Sequence, residues 1–502
     1  MGAIKKNDFI ESIANALQYI SYYHSEDFIL AMKSALEVER SDAAKDAILQ
    51  ILTNSKLAAY GNRPICQDTG IVTVFIKQGM NLRWDSDKTI EEMVNQGVRN
   101  AYLDKGNPLR ASIVKDPISD RLNTKDNSPA VVHISLVPGD NLDISIAAKG
   151  AGSENKASLG MLNPSDSIVD FILDEIPKMG AGWCPPGVLG VGIGGTAEKA
   201  MLMAKESLFE SINIQEIIQK GPSNVIENLR IELYEKINQL GIGAQGLGGM
   251  TTVLDVKIRD YPTHAASLPV AIIPNCAANR HIHFRMPPEG PAKLNPPNLE
   301  VWPKDEWSPK ETALRINLNT LQKKDLEKFK LGDSFLLSGK ILTARDAAHK
   351  KLKELVDNKQ PLPDGLDLKN RFIYYVGPVD PVGNEVVGPA GPTTSTRMDK
   401  YSSLMLEDYG VIGMIGKAER GKEALESIKK NKAVYFIAIG GAAYLISQAI
   451  KSSKLIAFPE LGMEGIYEFE VKDMPVTLAA NTEGDSLHEE GVKKWSKLFK
   501  KD

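Results

Sequence analysis

The chain has 502 residues, 42% of them hydrophobic and 25% charged, with a formal net charge of −4. That length is enough for more than one core, and the charge gives no whole-chain attraction to nucleic acid or to an anionic membrane. No apolar run approaches membrane-spanning length, so the composition is that of a globular protein with neither nucleic-acid nor membrane partners.

The N-terminus, MGAIKKNDFIESI, lacks the apolar core of a signal peptide. Its Met1-Gly2 start meets Lys6 where a myristoylation motif wants Ser or Thr. The expected location is the cytoplasm, where thiols stay reduced. Asp8 and Glu11 are spaced as a capping pair, and Phe9, Ile10, Ile13, Leu17 and Ile20 follow with helical spacing. Two more helices are expected near Asp27–Glu39 and Ser41–Leu52, then a strand over Ile71–Lys77 that places Cys66 on a loop at its entrance. Further strands are expected at Ala130–Val137, Leu142–Ala148 and Val270–Pro274. Between them, KGAGSENKASLG offers backbone amides at Gly150–Gly152 to a small anion.

The glycine-rich run Gly187–Ala200 lacks the Gly-x-Gly-x-x-Gly spacing and the preceding strand of a dinucleotide-binding fingerprint. It reads instead as a backbone turn beside Cys184 that leads into a helix from Thr196 to Phe209. The segment Gly241–Thr252 reads as close backbone packing. From 286 to 310 the chain is dense in proline, which interrupts helix and strand pairing alike, and reads as an interdomain connector. Beyond it, strands at Phe372–Val376, Val434–Ile439 and Leu455–Pro459 and a helix from Ala442 to about Lys451 form a separate α/β unit. The fold class is therefore mixed α/β in two domains, residues 1–285 and 311–502. The Lys-rich segments near Lys429–Lys432 and Lys493–Asp502 read as solvated surface.

Chemistry concentrates on the three cysteines, Cys66 in RPICQDTGIV, Cys184 in GAGWCPPGVLG and Cys276 in AIIPNCAANRH. An odd number of thiols argues against a closed disulfide set. Three thiolates can hold a [4Fe–4S] cluster at three corners and leave the fourth iron open, whereas electron-transfer clusters usually take four Cys. The plainer alternative is three unrelated buried thiols. His281 and His283 lie near Cys276, but their spacing matches no common zinc module. Arg110, Arg345, Arg397 and Lys417 each stand in a polar or glycine-bearing stretch. Singly they read as surface ion pairs; together they suit a small dicarboxylate.

The stretches RPICQDTG, KGAGSENK, GAGWCPPG, THAASLPVAIIPNCAANRH and GPAGPTTSTRMD, in that order along the chain, resemble the class I, iron–sulfur-dependent fumarate hydratases. The resemblance covers nearly the whole length and is that of a single-chain, fused type, with an N-terminal cluster-binding domain and a smaller C-terminal swivelling β/β/α domain. It implies that Cys66, Cys184 and Cys276 ligate a [4Fe–4S] cluster. It implies substrate contacts at Gln67, Asp68, Arg110, Gly150 (or its neighbour Gly152), Arg345, Thr393, Arg397 and Lys417. It also implies that His264 reaches the site of a partner subunit in a homodimer.

The reaction that follows from the resemblance is reversible hydration of fumarate to (S)-malate, as a step of the tricarboxylic acid cycle. Thr393 is the expected base, its deprotonated form stabilised by Arg397 if the turn brings them together, and Asp68 handles the proton on the hydroxyl side. An exposed cluster corner predicts inactivation in air. Mesaconate or tartrate is an alternative substrate, since a pocket discriminates one methylene by only about 1–3 kcal/mol. An iron–sulfur sensor that binds without turnover is the alternative from a different class.

Overall fold

Apolar residues at helical spacing build the first layer. Phe9, Ile10, Ile13, Leu17 and Ile20 form the buried face of a helix over Lys6–Tyr22. The structure, a computed structural model, describes residues 3–287 and 289–499. The Met1-Gly2 start, Pro288 of the connector and the last three residues of the Lys-rich end lie outside the described residues. The expected cap at Asp8 is not present. Ile4–Lys5 pair with Trp84–Asp85 as a short parallel ladder, so the helix begins at Lys6 and Asp8 falls inside its first turn. The Asp8 carboxylate instead accepts a hydrogen bond from Gly290 N at 3.1 Å, which ties the helix to the connector.

The next two helices span Glu26–Val38 and Asp42–Gly61. The second runs well beyond Leu52. Ser41 caps its start, and Asn62 ends it in the left-handed region at φ 50°, a conformation that Asn tolerates better than most residues. The reversal aims the following loop, with Cys66, back along the helix.

Two four-stranded sheets follow. One runs in the order His281–Arg285, Leu142–Lys149, Ile71–Gly79, Val131–Val137, and the other Ser158–Leu162, Leu268–Asn275, Gly187–Gly194, Val253–Tyr261. The glycine-rich run is thus a buried strand, not a turn. Its glycines serve helix packing: a Cβ at Gly192 would overlap the Ala200 carbonyl oxygen and lie 2.9 Å from Ala204 N. The Ala197–Ser207 helix lies directly on this strand, and only glycine allows that approach.

All seven strands of the largest sheet come from residues 314–480, in the order Leu314–Asn317, Ser334–Thr343, Phe372–Tyr374, Gly413–Gly416, Val434–Ile437, Ile466–Ala480, Ile450–Ala457. The first five are mutually parallel. The Ile466–Ala480 strand runs antiparallel and also pairs back to Ser334–Thr343. The helix expected from Ala442 to Lys451 is short, Ala443–Ser447, because Ile450 already pairs with Val471.

The connector is packed along the Asp42–Gly61 helix. Trp302 is buried, with its indole N–H donating to Ser55 Oγ at 2.9 Å, and Trp307 N donates to Thr53 Oγ1 at 2.7 Å. One apolar cluster joins Phe28, Ile48 and Ile51 to Leu342, Tyr374 and Ile437 of the seven-stranded sheet. The early helices and the late sheet therefore share a core.

Candidate active site

Strand register brings two of the thiols together. Val188, near the start of the Gly187–Gly194 strand, pairs antiparallel with Asn275, the last residue of Leu268–Asn275. The turn holding Cys184 and the loop opened by Cys276 must then meet, and Ala277 N donates to Cys184 O at 3.1 Å. Cys184 itself adopts φ 58°, a left-handed conformation unusual for a residue with a Cβ and one that collects at functional sites. Cys66 reaches the same place from the other sheet, and packs with Ile65 and Ala278.

The three free thiols line one cavity, together with Asp68, Gly150, Gly152, Arg280, Lys417 and Gly441. Both glycines of the KGAGSENK loop face it, as does the C-terminal half of the chain. Register again explains the loop. Ile71 pairs with Lys149, so Asp68 and Gly150 leave the sheet side by side, and Asp68 Oδ2 accepts from Ala151 N at 3.0 Å. That amide is engaged by protein, not left open to an anion.

Cations dominate the electrostatics. Lys417 Nζ donates to Cys184 Sγ at 2.8 Å. Burial opposes its charge, but Cys184, Cys66 and Cys276 outweigh burial and hold the ammonium above its ordinary range. Burial pushes the Cys184 thiol up to about 11 against the pull of Lys417, and burial also raises Cys66. Asp68 goes the other way. Burial would raise it, yet Arg110, Arg280, Lys417 and the Ala151 N–H together hold its carboxyl below the usual range. It is a carboxylate at neutral pH.

Arg110 lies 3.8 Å from Asp68 and donates to Gly377 O at 2.5 Å. Burial and the neighbouring Arg345 push it down to about 10, still cationic at neutral pH. Arg345 is 3.5 Å from Glu464. A Cβ at Gly377 would lie 2.6 Å from Arg345 Nη1 and 3.5 Å from Arg110 Nη1, so the two guanidiniums converge on this glycine. Gln67 is buried, with its amide donating to Pro392 O at 3.1 Å. Thr393 is buried, and its N–H donates to Tyr375 O at 2.7 Å while its carbonyl accepts from Lys417 N at 3.2 Å.

Two expected residues stand apart. Arg397 is directed at Asp346, 2.9 Å away, rather than at Thr393. His264 is exposed on the turn before Leu268–Asn275, with Nδ1 accepting from Ala266 N. The eight residues of that strand separate it from Cys276 by roughly 26 Å at a rise of about 3.3 Å per residue. His281 and His283 turn to Asn279 and Ser145, and no three His, Cys, Asp or Glu among the described residues form a single-ion site.

Three contributors escape sequence reasoning. Arg280 is buried, yet Nε and Nη1 have no hydrogen-bond partner among the described residues. Gln245, at φ 55°, donates to Pro185 O at 3.0 Å and accepts from Gly440 N at 2.9 Å, which clamps the Cys184 turn between the two halves. A Cβ at Gly440 would overlap Cys184 Sγ. The only advance signal is position, since Arg280 lies four residues after Cys276 and Gly440 just beyond a strand.

These residues fit an iron–sulfur cluster. The donors are soft thiols spread around one cavity, and the wall carries a buried arginine with two guanidinium nitrogens unpartnered among the described residues. Cys66, Cys184 and Cys276 would hold it.

Comparison with known proteins agrees over both halves. The family model described as "Fumarate hydratase (Fumerase)" matches residues 10–285, and "Fumarase C-terminus" matches 289–491. The chain is 31% identical over 501 residues to "Fumarate hydratase class I, anaerobic" of Escherichia coli (strain K12), covering 94% of this chain and 89% of that protein. "Fumarate hydratase 2" of Leishmania major is 31% identical over 94% of this chain and 85% of its own length. "Fumarate hydratase class I, aerobic" of the same E. coli strain is 30% identical over 93% and 88%. With two matched family regions lying on a two-domain α/β fold, the chain belongs to the class I fumarate hydratases and is a hydro-lyase.

Proposed function

We propose that this chain hydrates fumarate reversibly to (S)-malate, with Cys66, Cys184 and Cys276 as the protein ligands of a [4Fe–4S] cluster. The observation that carries the reading is the meeting, in one cavity, of three free thiols with Asp68, Arg280 and Lys417. Three thiol ligands leave one iron without a protein donor; when bound, the cluster supplies there a Lewis acid that polarises the substrate hydroxyl.

The chain's own side chains do the rest. Arg110 and Arg345, side by side at Gly377, grip a carboxylate of the diacid through charge-assisted hydrogen bonds. Lys417 brings positive charge from the opposite domain to where negative charge develops as a proton leaves the carbon next to a carboxylate. In hydration Asp68, held ionised by its cationic neighbours, takes a proton from the water that becomes the hydroxyl, and in dehydration it returns that proton to the departing hydroxide. Thr393 is the base on the carbon side, and Gln67 and Gly150 shape the pocket around the diacid. A threonine hydroxyl needs help to lose its proton. Arg397 gives that help once its pair with Asp346 opens.

His264 acts in the site of a second copy. Its exposure and its distance from Cys276 support this, as does the apolar edge strand Val131–Val137, where Ile134 and Leu136 are 40% and 66% exposed. Such an edge is a template for pairing. Residues 1–285 and 311–502 form the two working units, and a reducing compartment, the cytoplasm, suits three free thiols. Among the described residues no helix is long and apolar enough to cross a membrane.

The test is anaerobic purification followed by iron and sulfide analysis and a fumarate absorbance assay on one sample. About four iron and four sulfide per chain, with fumarate consumed and activity lost on aeration, are expected. Turnover by sulfide-free protein would end the proposal.

A further inference from the structure

Among the charged residues that line the cavity, Asp68, Arg280 and Lys417, the mechanism leaves Arg280 unused. It is 2% exposed, and neither Nε nor Nη1 finds a hydrogen-bond partner among the described residues. No carboxylate among the described residues lies within ion-pair distance of it; Asp68 feels its charge from further off and is paired with Arg110. A guanidinium does not escape burial by losing its proton, and an unpaired buried charge is costly enough that folds rarely keep one. The missing partner is therefore an anion that belongs in the cavity.

Arg280 sits four residues after Cys276 and is fixed there at both ends of its loop. Its carbonyl accepts from Ala148 N at 3.1 Å, and Asn275 and Asn279 are joined side chain to side chain. It lines the cysteine cavity and also a second cavity behind it, beside Lys149 and His281. The diacid clamp is centred to one side of it, since Arg110 and Arg345 converge on Gly377, which does not line the cysteine cavity.

We infer that Arg280 is a positioning residue for the iron–sulfur group, its free Nε and Nη1 serving the sulfur atoms rather than the substrate. The inference rests on the cluster reading above. Hydrogen bonds to sulfur and local positive charge both set a cluster's potential. Arg280 then stabilises the four-iron form against loss of the iron that no cysteine holds.

The experiment compares wild type, Arg280→Lys and Arg280→Gln after anaerobic reconstitution, each checked for wild-type circular dichroism. Iron and sulfide are counted, and the cluster is oxidised with ferricyanide without substrate. In that step [4Fe–4S]2+ gives one electron to ferricyanide and one Fe2+ to solvent, leaving [3Fe–4S]+, which electron paramagnetic resonance reads. Iron release on the order of tenfold faster in Arg280→Gln is expected from the loss of charge-assisted hydrogen bonds, with Arg280→Lys in between and KM for fumarate little changed. A cluster-bearing wild type whose variants release iron at its own rate would overturn the inference while leaving the proposed function intact. A KM that rises while the release rate stays put would overturn it too, because the donors would then serve substrate. If Arg280→Gln does not fold, the Arg280→Lys comparison decides alone. A wild type that binds no cluster would overturn both readings.

Discussion

A single hydrogen atom at Gly440 leaves room for Cys184 Sγ, because a methyl there would overlap the sulfur and stand 3.0 Å from Gln245 Oε1. Neither neighbour can yield easily, since Gln245 also holds the Cys184 turn through Pro185 O. Gly440 has no positive φ, so alanine strains no backbone and the effect of Gly440→Ala falls on the thiol. The expected outcome is a folded protein in which cluster absorbance after reconstitution drops several-fold and fumarate turnover with it. Full cluster occupancy in Gly440→Ala would show that Cys184 is free to move. Cys184 and Lys417 were legible as candidates in the sequence because each sits in an unusual polar or glycine-bearing stretch, and Asp68 was legible through the family resemblance. Gly440 was not, because a glycine chosen to spare a distant sulfur looks like any other.

At the scale of elements, the C-terminal contributions follow one rule. Arg345, Gly377, Lys417 and Gly440 each come shortly after one of four adjacent parallel strands, Ser334–Thr343, Phe372–Tyr374, Gly413–Gly416 and Val434–Ile437. Ligands in open α/β sheets bind beyond the carboxyl ends of the strands, and this sheet presents that end to the cysteine loops. Two of the four strands were readable from apolar runs, and the short glycine-bearing Gly413–Gly416 strand was not. The Gly187–Gly194 strand was missed for a related reason. Its glycines look like a turn until the Ala197–Ser207 helix is laid on them. Gly192→Ala should therefore force that helix away from the strand, destabilising the protein by about 1–3 kcal/mol as overpacking does. Urea denaturation reads this directly, and an unshifted midpoint would mean that the contact relaxes at no cost.

For the whole molecule, burial of two histidines makes stability depend on pH. His24 and His349 are fully buried, and burial lowers their pKa from 6.5 to about 3 and about 4 respectively. Above pH 6.5 both are neutral, folded or unfolded, and cost nothing. As pH falls below 6.5 the unfolded chain binds protons that the folded one refuses, so stability is lost progressively toward those lower values. Each site contributes roughly 1.4 kcal/mol per pH unit. From pH 7.5 to 5.5 the pair should remove roughly 2–3 kcal/mol, seen as a lower urea midpoint. A midpoint that holds or rises would contradict the burial argument, and His349→Gln should flatten the dependence.

Local chemistry determined much of this protein in advance. Periodicity and apolar runs placed the early helices and fewer than half of the strands, and the settings of Cys66, Cys184 and Cys276 marked the loops that carry chemistry, since such patterns need only a few neighbours along the chain. Tertiary structure alone decided which residues face one another. Antiparallel register joined Cys184 to Cys276, packing aligned four strand ends of one domain with the loops of another, and burial left Arg280 without a partner. Those outcomes depend on contacts between residues tens to hundreds of positions apart, which no local pattern encodes.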